Sequence, residues 1–370
     1  MNHFIYKNFY TSNNFKHITK ELIKLNQQIK SKNHIILYEK RAYERAFFIK
    51  TFFHIHLSKD KYIPIYIDLF NTVDIFDFIK KYYIQIASSL IYEYSIILKT
   101  LKTLFSKVNF VAMMQNDGTL KFDITLLSYN IDELLADIYK GLDKIYVEKN
   151  KTIVIAIDQF WQLNNLKEKN IEQLLRQYIT QKSYITYIFT GDKYRQIFDI
   201  FLDEKRPLYN TAKTFELTAI PLDELYKYFS NMCTNLDFDV FTMVYNLCDA
   251  EIRLIYKALY YCYEISNYET ITLADIDDIE NFLLYDLDEY FKILFNRFTP
   301  VQKTALKSII LSDGIELYTK VNLFKLQITK ASLNTAIKYL YQEEFIDKKE
   351  NKYYICNRSF ELWCKKNLMY

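Results

Sequence analysis

Eight consecutive residues, Glu39-Lys40-Arg41-Ala42-Tyr43-Glu44-Arg45-Ala46, stand between a short apolar run and an apolar-rich helical run. That is the setting of a phosphate-binding loop, whose pattern is G-x-x-x-x-G-K-[ST]. In such a loop the glycines let successive backbone N–H groups close around a phosphate at a helix N-terminus. The lysine meets the outer phosphates and the hydroxyl holds Mg²⁺. Here Glu39 and Glu44 stand at the glycine positions, Arg45 at the lysine and Ala46 at the hydroxyl. A glutamate fills space and repels phosphate. The guanidinium is cationic but larger and differently shaped, and a methyl group cannot ligate a metal. The spacing of a nucleotide site is present without its chemistry.

Other reactive residues form no alternative centre. His54-Ile55-His56 could pair on a metal but has no third ligand nearby, and no metal is expected. Cys233, Cys248, Cys262, Cys356 and Cys364 show no C-x-x-C spacing, which argues against a zinc site or a disulfide framework. The five histidines, His3, His17, His34, His54 and His56, join no Ser-His-Asp or Cys-His arrangement. The acidic stretch 273–289 (Asp275, Asp277, Asp278, Glu280, Asp286, Asp288, Glu289) reads as a solvated helix face.

The elements that would position the loop follow from apolar periodicity. Residues 11–30 read as a helix capped by Thr11 or Ser12, with Ile18, Leu22, Ile23 and Leu25 on one face. A buried strand is expected at 34–38, and a second at 62–70, apolar on both faces with Pro64 near its start. Helical patterns fill about 74–105. Residues 107–124 place Asn116-Asp117-Gly118-Thr119 between two strand-like runs, and Asp-Gly permits the positive φ of a tight hairpin. A helix at 131–147, a strong strand at 152–157 ending in Asp158-Gln159-Phe160, a helix at about 171–180 and a strand at 184–189 complete the alternation. That order predicts an α/β fold with a parallel sheet covered on both faces. From Phe215 the pattern is helical to about 296. Helices at 301–311, 319–326 and 330–342 then precede strand-like pieces at 345–347 and 353–355, the order of a winged helix.

The chain has 370 residues, enough for two or three domains. Tyr and Phe number 34 and 28 against 4 Gly and 4 Pro, a bias read as compositional rather than as an aromatic ligand surface. No apolar run reaches the roughly 18 residues of a membrane span, and Met1–Lys7 lacks a signal-peptide core. A cytoplasmic protein is the expectation.

With these residues in view, the chain resembles the archaeal-type AAA+/STAND P-loop ATPases, which also occur in bacteria. Leu37, Tyr38, Arg41, Tyr43 and Ile49 fit the register of that group's Walker A segment, L-Y-G-P-R-R-Y-G-K-T-S-L-I. Tyr66–Phe70 resembles its second strand, Ile155–Phe160 its Walker B segment and Phe189–Asp192 its sensor-1 strand end. Phe201–Tyr209 resembles the stretch that follows, and the terminal winged helix also fits. The resemblance implies a P-loop ATPase-like α/β domain at 1–214, a helical lid at 215–298 and a winged-helix domain at 299–370. It places Asp158 where a carboxylate supports Mg²⁺ and Gln159 where a carboxylate polarises the attacking water. An amide cannot act as that base, and loss of such a group costs about 2–4 orders of magnitude in rate. Glu39, Glu44, Arg45, Ala46, Asp158 and Thr190 would line the altered nucleotide site. Arg206 would be an arginine-finger candidate, with an intramolecular salt bridge as its alternative, and Arg253 a sensor-2 candidate.

The winged helix offers a second surface. Residues 299–370 hold 12 Lys+Arg and 7 Asp+Glu, a local net of 12 − 7 = +5, against 36 − 38 = −2 for the remainder. Lys330, Asn334 and Lys338 lie four apart on one face of the third helix, and Lys348, Lys349 and Lys352 fall on the wing, an arrangement suited to DNA phosphates. The expected protein is thus a pseudo-ATPase, with no catalytic residue and no cofactor. It would be a scaffold or adaptor that contacts a partner protein or another subunit, and DNA through the winged helix. The alternative is an ATPase that holds ATP and Mg²⁺ in a rearranged loop, alone or beside an intact paralogue.

Overall fold

The structure is a computed structural model that describes residues 19–41, 44–90, 94–168, 170–232, 236–265 and 278–368. The expected caps Thr11 and Ser12, and Ile18, Ala42, Tyr43, Cys233, Asp275 and Asp277, lie outside the described residues. The chain forms two compact units. One comprises residues 19–38 and 46–216, the other the described residues of 39–45 and 217–370.

The first unit is built on helix α1 (Thr19–Lys30), strand β1 (Ile35–Tyr38), α2 (Arg45–His56, its first residue belonging to the other unit), β2 (Tyr62–Asp68), α3 (Ile75–Ser89) and α4 (Tyr94–Leu104). A hairpin, β3 (Val108–Met114) and β4 (Leu120–Leu126), leads to α5 (Ile131–Lys149). Then come β5 (Thr152–Asp158), a 3₁₀ turn (Phe160–Asn165), α6 (Ile171–Gln181), β6 (Ile185–Thr190), α7 (Tyr194–Leu202) and β7 (Lys213–Glu216). Five strands make a wholly parallel sheet in the order β2-β5-β6-β1-β7. Strands β5 and β6 are buried almost throughout, as a parallel sheet covered on both faces requires.

Strand β2 departs from the expectation of burial on both faces. It is an edge strand, so Tyr62, Pro64 and Tyr66 alternate half-exposed with buried Ile63, Ile65 and Ile67. The edge position is also what admits Pro64 to the ladder. Strand β7 and the 3₁₀ turn carry no clear periodic signal, whereas α7 buries Tyr194, Ile197, Ile200 and Phe201 at helical spacing. Strand β7 has four residues, mostly exposed, and exists because His34 and β1 offer it an edge.

Helix α3 shows why this unit packs. Asp74 caps it by accepting from the Asp77 N–H, and Ile75, Phe78, Ile79, Tyr82, Tyr83, Ile86 and Ala87 form its buried stripe. The hydroxyls of Tyr82, Tyr139 and Tyr187 satisfy one another inside the core. Asp137, also buried, accepts from Tyr83, from Ser106 and from the Lys107 N–H.

The second unit is helical from α8 (Leu222–Met232) through α9 (Phe238–Leu247), α10 (Ile252–Ile265), α11 (Ile279–Tyr285) and α12 (Asp288–Asn296). It continues with α13 (Pro300–Leu311), α14 (Lys320–Lys325) and α15 (Lys330–Gln342), a hairpin of β8 (Ile346–Lys349) and β9 (Lys352–Ile355), and α16 (Arg358–Leu368). The winged-helix order is as expected, but α16 follows it. Its Phe360, Leu362, Trp363 and Cys364 are buried in the same core as α13 and α15. Thr299 caps α13 with a complete capping box and Pro300 at its first turn. No helix among the described residues is long and apolar enough to cross a membrane.

Candidate functional site

Asp158 closes β5, 4 % exposed, in register with Asp68 on β2. The Tyr66 hydroxyl donates to one carboxylate oxygen at 2.7 Å and the Gln159 N–H to the other at 2.8 Å. Gln159 itself is left-handed, φ 58°. Its side-chain oxygen accepts from Trp161 Nε1 at 2.7 Å, and the same indole N–H reaches Asp192 Oδ1 at 2.7 Å. Lys193 Nζ lies 4.7 Å from the centre of the Trp161 ring. Gly191 is required here, because a Cβ would stand 2.9 Å from Trp161 and 3.2 Å from the Gln159 Cα. Thr190, fully buried at the end of β6, has no hydrogen-bond partner for its hydroxyl among the described residues.

These strand ends therefore hold a carboxylate engaged by a phenol and a backbone N–H, and an amide engaged by an indole. A metal-supporting carboxylate needs an open oxygen, and a general base needs a basic group aimed at water. Each oxygen of Asp158 accepts one hydrogen bond from the protein, and position 159 carries an amide, which is not a base.

The loop after β1 belongs to the second unit. Arg45 Nη1 donates to Glu39 Oε1 at 2.9 Å, so residues at glycine and lysine positions of the phosphate-loop spacing neutralise each other. Glu44 is left-handed at φ 66°, a backbone angle that a glycine would adopt without strain. Ala46 is half-buried in the first turn of α2. Arg41 is the hub. Its Nε meets Asp249 at 2.5 Å, its Nη1 reaches Glu361 and the Ile355 carbonyl at 3.3 Å each, and its guanidinium lies 4.5 Å from the centre of the Tyr354 ring.

Glu361 also meets Arg358 at 2.9 Å and Lys365 at 3.1 Å. Burial pushes its carboxyl up, but Arg358, Lys365 and Arg41 together outweigh that and hold it below the usual range. Glu251, at the start of α10, is the reverse case. Burial raises its carboxyl to about 8, with Asp249 and Glu44 adding to the shift, while an Arg358 N–H bond and Arg41 oppose it.

The remaining sequence-derived residues divide. Arg206 forms a two-point ion pair with Glu172 and donates to Asn164 Oδ1 at 2.8 Å, so the guanidinium is engaged within its own unit. Arg253 is exposed on α10. Lys330, Asn334 and Lys338 share the exposed face of α15, opposite Leu333, Ala336, Ile337 and Leu340. On the wing Lys349 is exposed, Lys348 stands over the Tyr353 ring and Lys352 pairs with Asp313 at 2.5 Å. His56 stacks on Phe52 rather than beside a ligand set, and no group of three His, Cys, Asp or Glu among the described residues could hold a metal.

Sequence reasoning did not find Tyr66, Trp161 or the partners of Arg41. Most act across a long separation in the chain, 92 residues for Tyr66 and Asp158, 31 for Trp161 and Asp192 and 320 for Arg41 and Glu361, while Trp161 also bonds Gln159 only two residues away. No local pattern marks such pairs.

A parallel sheet in which β1 lies between β6 and β7, a helix-opening loop after β1, and a helical segment leading to a winged helix define the fold of the archaeal-type AAA+ P-loop ATPases. Solved structures agree. The chain is similar to a Walker-type ATPase of Pyrococcus abyssi, with a TM-score of 0.63 and 15 % identity over 93 % of this chain and 94 % of that one. It is also similar to the Aeropyrum pernix ORC2 protein in its ADPNP and ADP complexes, with a TM-score of 0.51 and 12 % identity over 96 % and 93 % of the two chains. The ORC1 protein of the same organism, in complex with DNA, gives 0.50 and 11 % over 99 % and 97 %. No protein-family model and no curated protein matches the chain.

Proposed function

We propose that this chain is a catalytically degenerate AAA+-like protein, a scaffold or adaptor that does not hydrolyse ATP. The observation that supports this most directly is the engagement of Asp158 by Tyr66 and the Gln159 N–H. Each oxygen of the carboxylate that would carry Mg²⁺ already accepts a hydrogen bond from the protein, and the following position carries an amide. The Arg45–Glu39 pair supports the same reading, since it spends the loop's cation on a neighbouring carboxylate. Residues 1–214, 215–298 and 299–370 are read as the ATPase-like, lid and winged-helix parts. Equilibrium binding of labelled ATP with Mg²⁺ tests the proposal, and no saturable binding in the micromolar range is the expected result. Micromolar affinity that Arg45→Ala and Asp158→Ala each abolish would overturn it in favour of an ATP-binding subunit.

A second activity rests on a separate observation, the exposed lysines of α15 and the wing. The likeness to an ORC1 protein bound to DNA supports giving this surface a phosphate backbone as partner. Lys330, Lys338, Lys348 and Lys349 would contact phosphates, Asn334 a base edge or sugar, and Lys352 would do so only after leaving Asp313. The test is a mobility shift on duplex DNA at low salt that weakens as salt rises and is lost when Lys330, Lys338 and Lys349 are all changed to Glu. Absence of any shift at low salt removes this reading and leaves protein contact as the role of the winged helix.

A further inference from the structure

Among the described residues the β3–β4 hairpin pairs with no other strand, since its sheet contains these two alone. Its hydrogen-bond phase can be read from its two ends. The Gln115 N–H donates to the Thr119 carbonyl and the Leu127 N–H to the Lys107 carbonyl. In an antiparallel ladder bonded pairs alternate with unbonded ones. The pairs Met113–Lys121, Val111–Asp123 and Asn109–Thr125 are therefore the bonded ones, and Leu120, Phe122 and Ile124 turn their N–H and C=O groups to the outer edge of β4. The Ile124 N–H bears this out, because its partner is the side chain of Asp123 at 2.8 Å and not a strand.

The two faces of β4 differ. Phe122, Ile124 and Leu126 are buried against the unit, while Lys121, Asp123 and Thr125 are exposed. On β3 the exposed face continues with Val111, 54 % exposed, and Met113, 45 % exposed. An open strand edge seven residues long, flanked by exposed apolar side chains, is a template for another strand.

We infer that the outer edge of β4 pairs with the β4 edge of a second copy of this chain, antiparallel about a two-fold axis at Phe122. The charge sequence selects this occupant. With Phe122 opposite its own counterpart, Lys121 falls opposite Asp123 of the second copy, and Asp123 opposite Lys121, so one register yields two opposite-charge pairs. These are the unbonded positions of the new ladder, where facing side chains approach most closely. The outward groups match as well. Phe122 bonds with Phe122, and Leu120 with Ile124, at the bonded positions. The Ile124 N–H exchanges the Asp123 carboxylate for a carbonyl of the second copy, which releases Asp123 to meet Lys121. Val111 and Met113 then flank the charged pairs on the exposed face of a four-stranded sheet, where the lysine stems cover them. The interface is isologous and closes at two copies.

Sedimentation velocity of the full chain across the micromolar range tests this. A concentration-dependent dimer is expected. Asp123→Lys puts lysine opposite lysine twice and should weaken it about tenfold or more. The double exchange Lys121→Asp with Asp123→Lys should restore it to within about threefold on the same pairwise scale. Ile124→Pro removes an outward N–H at an edge that tolerates proline and should abolish the dimer with the helical circular dichroism unchanged. A monomer at every concentration overturns the inference. So does a dimer that Asp123→Lys leaves intact, or one that the double exchange fails to restore.

Discussion

At the scale of single residues, buried charge is handled by short, specific partners. Asp158 is the clearest case, because a carboxylate taken out of water needs donors at both oxygens. Tyr66→Phe removes one of them without changing shape elsewhere. It should cost about 2 kcal/mol, the usual worth of a hydrogen bond to a charged group, measured as a lower urea midpoint at unchanged m-value. The same change opens one oxygen of Asp158, yet Gln159 remains, so ATP turnover should stay at background.

Glu251 makes a pH prediction. Its folded carboxyl is raised to about 8 from 4.5, so the folded chain keeps a proton that the unfolded chain has released. The contribution is fully present below pH 4.5 and is lost as pH rises towards 8, at a slope of at most about 1.4 kcal/mol per pH unit. Glu251→Gln should remove that dependence. Thermal unfolding of wild type and variant should converge at low pH and separate by pH 8, with the variant the more stable. A parallel pair of curves would refute the assignment.

At the scale of elements, close backbone approach decides the winged helix. Gly314 is left-handed at φ 74°, and a Cβ there would overlap the carbonyl oxygen of Tyr353. The Tyr353 N–H donates to the Gly314 carbonyl at 2.9 Å, so this contact tethers β9 to the turn after α13. Gly314→Ala must move the hairpin and pay a left-handed backbone penalty as well. It should destabilise the protein by about 2 kcal/mol or more, seen as a fall in the melting temperature. Gly118 sits at φ 78° with open space around it, so only the backbone term applies there and the cost of Ala should be about 1 kcal/mol.

At the scale of the whole molecule, charge is unevenly placed. The last 72 residues carry a net +5 and the rest −2, from 12 − 7 and 36 − 38 charged residues. On the proposed DNA-binding role of the winged helix, affinity for duplex DNA should fall steeply with ionic strength. Each phosphate contact removed by a single Lys→Glu change on α15 or the wing should reduce the slope of log K against log salt by about 1. Equal slopes for the wild type and the triple variant would place the binding elsewhere.

Much of this protein was legible in its sequence, and the physical reason is locality. Continuous apolar runs set β1, β5 and β6, and apolar patterns of period 3.6 set α5, α6, α13, α14 and α15, to within a few residues, because each run must bury its apolar side chains whatever its neighbours are. The Asp-Gly turn was legible because φ is a property of one residue. The departures from the phosphate-loop pattern at Glu39, Glu44, Arg45 and Ala46, and the amide at Gln159, were legible because residue type alone decides which atoms are present. Tertiary structure decided the rest. Strand β7 forms because β1 offers an edge, and β2 alternates because it lies at the other edge. Only folding brought Tyr66 to Asp158, Trp161 to Asp192, and Arg41 to Asp249 and Glu361. These partners carry no shared pattern along the chain, and a single hydrogen bond or ion pair between distant segments leaves no periodicity to read.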